Sequence, residues 1–201
     1  MVRKALISIG LVTTLAAPAM AGETYTFDKQ HTEAAFQVRH LFTKVRGTFR
    51  DFSGNVNWDR AKPENSTVEF RLKTASVDTG VEQRDTHLRS EEFFWAEKHP
   101  DIVFKSTKIV AKSATAFAVT GALTIRGVTR SVTLPVTILG EQKDPWGNVK
   151  AGFETSTTLN RKDYGLTWNK ALEAGGMLVG DEVEIQINIE AEKDVPKPTA
   201  N

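Results

Sequence analysis

From Tyr25 onward, apolar residues return at every second position in short runs, and each run is closed by a turn signal; this is the period of strands with one buried face. Tyr25 and Phe27 share a parity, and Ala34, Phe36, Val38 and His40 make a second run. Gly47 reads as a turn, and Phe52, Gly54, Val56 and Trp58 follow as the next set. Phe49 falls on the opposite parity, which predicts a register shift near Asp51. Pro63 and Asn65 make Asp59 to Ser66 a loop. Val68, Phe70 and Leu72 then alternate with Glu69, Arg71 and Lys73, so that strand can bury only one side. Ile102, Phe104 and Ser106 repeat the pattern against Val103, Lys105 and Thr107. Four further runs carry Phe117 to Ile125, Val132 to Ile138, Ala151 to Leu159 and Val183 to Ile189. Pro135 inside the second of these predicts an edge or irregular position, because proline cannot donate to a ladder. Asp144-Pro145-Trp146-Gly147-Asn148 is a strong turn.

One stretch, Arg84 to Thr107, breaks the alternation. Ser90 reads as the cap of a helix with Glu91 and Glu92 in its first turn, and His99-Pro100 as its stop. A helix set among strands suggests a lid. About eight strands joined by short turns favour an antiparallel meander over any βαβ arrangement. A sandwich and a closed barrel both satisfy the pattern, because Phe36, Phe70, Phe104, Phe117 and Phe153 are bulky enough to fill either interior.

The first residues stand outside this pattern. Arg3 and Lys4, an apolar run from Ala5 to Ala17, and Ala19-Met20-Ala21 have the form of a cleavable export signal over residues 1–21. The apolar run is shorter than the ~20 residues that span a bilayer, so a membrane-spanning chain is not expected. Cleavage removes two basic residues and no acidic one, taking the net charge from +1 to about −1 and arguing against a nucleic-acid partner. Cysteine is absent, so stability rests on one core. Residues 22–193 suffice for one domain, and the proline-containing residues 194–201 read as a flexible tail.

Candidate chemistry is sparse. His31, Glu33 and His40 are ligand types zinc accepts, but His40 has the opposite strand parity to the other two, so no metal site is expected. His87 with Asp85 could serve a hydrolase as an oriented base, yet no nucleophile motif accompanies them. A structural protein with a filled barrel is the third reading.

Taken together, the segments Tyr25-x-Phe27-Asp28-x-x-His31, Phe36-x-Val38-x-His40 and Gly47-x-Phe49-x-x-Phe52-x-Gly54 resemble the YceI-like family of exported polyisoprenoid-binding proteins. So do Arg84-Asp85-x-His87-Leu88-Arg89-Ser90 leading to Phe93-Phe94, Pro100-x-Ile102-x-Phe104-x-Ser106, Gly121-x-Leu123-Thr124-Ile125-x-Gly127 and Asn160-Arg161-x-Asp163-Tyr164-Gly165. Thr32 stands where the family usually has serine. The resemblance implies an all-β, eight-stranded, lipocalin-like barrel with a short helical lid, in the periplasm, holding a long prenyl chain or similar amphiphile, with a prenyl quinone, a prenyl phosphate and a fatty amide all open as the ligand, without catalysis or cofactor. It also allows a homodimer.

Burying on the order of 500 Å² of isoprenoid surface contributes on the order of 10 kcal/mol gross, before association costs. The inward parity nominates Phe36, Val38, His40, Phe70, Leu72, Ile102, Phe104, Leu123 and Phe153 as cavity residues, and Phe94 of the lid stretch is added to them. Arg84, His87, Arg161 and Tyr164 are the candidates for a headgroup at the mouth; ion pairs such as Asp85 with Arg161 or Asp163 with Arg84 are the alternative use of these groups.

Overall fold

The computed structural model describes residues 22–173 and 175–195. The expected signal peptide lies outside the described residues, as does the expected tail from residue 196 onward. The strand segments are β1 (Glu23–Phe27), β2 (Glu33–His40), β3 (Thr43–Phe49), β4 (Phe52–Trp58), β5 (Thr67–Lys73), β6 (Val77–Asp78), β7 (Asp101–Ala111), β8 (Ala116–Ile125), β9 (Val128–Lys143), β10 (Val149–Asn160) and β11 (Val179–Lys193). Three pairs of segments are halves of bent strands: β1 with β2, β3 with β4, and β5 with β6. The pairings show this, because β1 and β2 both lie on β11, while β1 pairs β4 and β2 pairs β3. The result is an eight-stranded antiparallel meander closed into a barrel by the β1–β11 contact.

The bends are local solutions to the sequence. Phe49 and Phe52, which have conflicting parities, are both buried because the ladder breaks at Arg50 and Asp51 between them. The β1–β2 bend is held to β11 at one residue: the Asp28 N–H and the Thr32 hydroxyl both reach the Glu190 carbonyl, at 2.8 and 3.1 Å, and the Glu190 N–H returns to Thr32 at 3.2 Å. Gly47 is not a turn but a strand residue facing Phe36, whose ring would lie 2.4 Å from any Cβ there. The chain reverses instead at Leu41 and Phe42, with Leu41 at φ 50°. Gly121 likewise gives the Phe104 ring room to lie across β8.

The lid helix α1 occupies Glu82–Arg89, earlier than the sequence suggests. Ser90 ends it, its N–H and hydroxyl both donating to the His87 carbonyl at 3.1 and 2.8 Å. Trp95 sits at φ 51°, outside the helical region, so Glu91 to His99 form turns. Asp85 accepts from the Thr79 N–H and hydroxyl, tying α1 to the end of β6.

Along the barrel axis, the core divides. Tyr25, Phe27, Phe52, Phe70, Phe104 and Phe117 belong to the large central cluster. At the lid end Phe36, Phe49, Val77 and Ile102 make a second group, and Phe93, Tyr164 and Leu166 a third, with Leu88 and Phe94 touching both.

One seam remains in the wall. β9 pairs β8 over its whole first half but pairs β10 only through Val136 to Lys143. Among the described residues, Val128 to Pro135 and Ser156 to Asn160 therefore face each other without ladder bonds. Pro135, with no N–H to offer, stands at the last rung, as its chemistry requires.

Candidate functional site

An apolar void of about 160 Å³ runs inside the barrel. On β10 its lining extends from Phe153 to Leu159, six steps or roughly 20 Å along the strand. The void is thus narrow and long. Its two sides differ. Phe70, Phe104, Phe117 and Phe153 are nearly fully buried, whereas Leu134, Val136, Ile138, Ile185, Ile187 and Ile189 are only half-buried although they point inward. Half-buried aliphatic residues on an inner wall mean unfilled space beside them. Thr155 and Thr157 interrupt the grease, and the buried Thr155 hydroxyl lacks a partner among the described residues.

Of the residues nominated from parity, Phe70, Leu72, Ile102, Phe104, Leu123 and Phe153 line this void. Four do not. Phe36 and Phe94 both pack on Phe49, at ring distances of 5.8 and 5.6 Å, and form the plug under the lid. Val38 sits between Val45 and Val183, and His40 between Thr43 and Val179, at the rim of the lid end. Parity placed Phe36, Val38 and His40 on the inner face but could not say where along the axis the hollow stops, and Phe94 belongs to the lid turns.

The polar groups nominated for a mouth have other partners. Arg84 donates to the hydroxyl and carbonyl of Thr79 at 2.6 and 2.9 Å. Arg161 is 6% exposed and donates to the carbonyls of Gly180, Leu166 and Trp168 and to Asp181. Tyr164 is buried in the Phe93–Leu166 cluster. His87 meets Glu92 at 2.5 Å, and its ring stands edge-on to Phe93 and Trp168. Arg84, His87 and Tyr164 fasten the lid, Arg161 ties together the segment between β10 and β11, none of the four lines the void, and neither ion pair considered for them forms. Asp85 holds Thr79 and not His87, so the oriented base of a hydrolase is not assembled.

The titratable cluster that does form is Asp28, His31 and Glu190. Glu33 pairs with Arg46 instead, and His40 is at the other end of β2. Lys150 already supplies the cation, 2.9 Å from Asp28 and 3.8 Å from Glu190. Burial alone would raise the Asp28 carboxyl, but bonds from His31 and Lys150 outweigh it and hold the group well below the usual carboxylate range. The bond to Asp28, with the nearby carboxylates, holds His31 above its ordinary value of 6.5. The stabilisation from His31 is therefore complete below its unfolded pKa and disappears as pH rises through the raised folded value. That from Asp28 holds above its ordinary value and disappears as pH falls through the depressed one. An NMR titration of the His31 ring is expected to give a midpoint above 6.5, and Asp28→Asn to return it toward the ordinary value; an unchanged midpoint would show that the pair is not formed in solution.

A second polar group, which parity reasoning did not find, stands at the barrel end away from the lid. Trp58 and Phe117 meet edge-on there, ring centroids 5.1 Å apart, and beyond them lie Tyr25, Arg60 and Glu141. Trp58 was visible as an inward residue, but no pattern marked Arg60 and Glu141, which meet across 81 positions of sequence.

Comparison with known proteins agrees with this architecture. Residues 25–191 match the YceI-like domain. A UPF0312 protein of Azotobacter vinelandii is 43% identical over 171 residues, covering 83% of this chain and 88% of that one. The crystal structure of a Campylobacter jejuni YCEI protein superposes with TM-score 0.68 at 31% identity, covering 78% of this chain and 90% of its own. A polyisoprenoid binding domain from Saccharophagus degradans, implicated in plant cell wall breakdown, superposes with TM-score 0.61 at 15% identity, covering 86% of this chain and 99% of its own. A closed meander of this order, lidded between its third and fourth long strands and matched from Tyr25 to Ala191, makes the chain a member of the YceI-like family.

Proposed function

We propose that the protein binds and carries a polyisoprenoid or a similar long-chain amphiphile, without catalysis, after export to the periplasm. The observation that carries this reading is the long void with its half-buried aliphatic wall, since a filled structural barrel would leave no such surface uncovered. The likeness to the polyisoprenoid binding domain of Saccharophagus degradans supports the ligand class. Export is supported by the form of residues 1–21.

The void also limits the reading. At about 160 Å³ it is close to the ~150 Å³ of an apolar cavity that stays dry and takes up benzene. It therefore houses only a short piece of a prenyl chain as it stands, and a longer tail enters by displacing wall side chains such as Leu134 and Ile187. The half-buried state of those residues makes such displacement inexpensive compared with moving the close-packed phenylalanines.

The test is organic extraction of the purified protein followed by mass spectrometry. A long-chain isoprenoid recovered at about one per protein supports carriage, and an empty barrel that also fails to take up added isoprenoid refutes it.

A further inference from the structure

The end of the barrel away from the lid holds a second space, about 380 Å³, that shares Trp58, Phe117, Ile138 and Phe153 with the apolar void. The edge-on pair Trp58 and Phe117 stands where the two spaces meet. Beyond it the lining becomes polar. The Tyr25 hydroxyl donates to Glu141 and lies 3.1 Å from a Glu23 carboxylate oxygen, while Arg60 donates to Glu141 at 2.6 Å. Burial and the neighbouring carboxylates push the Tyr25 phenol up, so it stays a donor at neutral pH. Lys193 pairs with Glu23. Two carboxylates thus stand against two cations, and the group as a whole is uncharged.

We propose that this vestibule, and not the lid end, holds the headgroup of the carried chain, and that it selects an uncharged oxygen head, a hydroxyl or carbonyl, over a phosphate. The inference rests on the carriage reading and adds where the head lies and what it is. A hydroxyl can donate to the Glu141 carboxylate and accept from the remaining N–H groups of Arg60. A phosphate brought to the same place meets Arg60 already engaged and a carboxylate beside it, so the anion gains a partner only by breaking the existing pair. At the lid end, Arg84 and Arg161 spend their donors on backbone carbonyls and neighbouring side chains, so neither is offered to a head.

The experiment is native mass spectrometry of the delipidated protein titrated with farnesol, farnesyl monophosphate and squalene. Farnesol is expected to bind about tenfold or more tightly than the monophosphate. Glu141→Gln, which keeps an acceptor for Tyr25 but removes the negative charge, is expected to shift the farnesol-to-monophosphate affinity ratio about tenfold toward the monophosphate. Equal binding of the two heads, an unchanged ratio in Glu141→Gln, or a ratio that moves with His87→Ala instead would overturn the vestibule and leave carriage standing. Failure of all three probes, squalene included, would overturn carriage itself, and the vestibule assignment with it.

Discussion

Ile187→Trp is expected to lower the isoprenoid recovered per mole of protein by about tenfold or more while leaving the barrel folded. Ile187 lies midway along the inner wall, opposite Thr155 on β10 and Ala34 on β2, and it is half-buried beside the void. An indole there grows into empty space. Overpacking a filled core commonly costs about 1–3 kcal/mol, but here the added ring replaces solvent or ligand rather than protein atoms. Extraction with mass spectrometry reads the load, and thermal unfolding reads the fold. Full lipid load in a folded variant would place the ligand elsewhere. Aspartate at Phe70 or Phe104 is the less informative change, since these residues face each other in register on β5 and β7 and are both buried. An unpaired carboxylate in that position is expected to unfold the barrel, and lipid would be lost for a trivial reason.

The second large effect is on stability. Arg161→Met removes a guanidinium that satisfies three backbone carbonyls, those of Gly180, Leu166 and Trp168, in a site 6% exposed. Each buried acceptor left without a donor costs about 1–3 kcal/mol, so a loss of at least about 3 kcal/mol is expected, a large part of the stability of a typical domain. Lysine should not rescue it, because a single ammonium cannot span the same set of acceptors as the planar fork. Chemical denaturation of both variants checks this; a change under about 1 kcal/mol would mean that water replaces the lost donors.

These two residues show what was legible in the sequence. Period-two alternation identified Ile187 as inward without any structure, because one-sided burial leaves an unambiguous mark on composition. It also found Pro135 at the point where pairing with β10 stops and the irregularity between Phe49 and Phe52. Parity reports only which face a side chain takes. It carries no information on depth along the axis, and so Phe36, Val38 and His40 were grouped with residues that touch the void although they lie at the lid end. Arg84 and Arg161 were nominated for a headgroup at the mouth, but most of their partners are backbone carbonyls, which leave no trace in residue identity. Asp28, His31 and Thr32 gained meaning from the fold, since together they secure the β1–β2 bend against Glu190, a task for which a serine hydroxyl would serve as well as threonine. The Ser90 cap misled because the same hydroxyl that starts a helix can close one, and the backbone at Trp95 decided between them.

The unzipped rungs between β9 and β10 have a mechanical consequence. Elsewhere the cylinder widens only by sacrificing backbone bonds, whereas along this slit the two margins are already separate, joined by the Arg130 contact to the Asp163 carbonyl at 3.2 Å. Prising the wall apart there forfeits the Arg130 contact and, at the lid-end corner, the Arg126 bond to the Gly165 carbonyl at 3.1 Å, but no ladder. The slit is therefore where the barrel widens at the lowest cost in backbone bonds, and under the carriage proposed above it is the side from which a tail would be laid in.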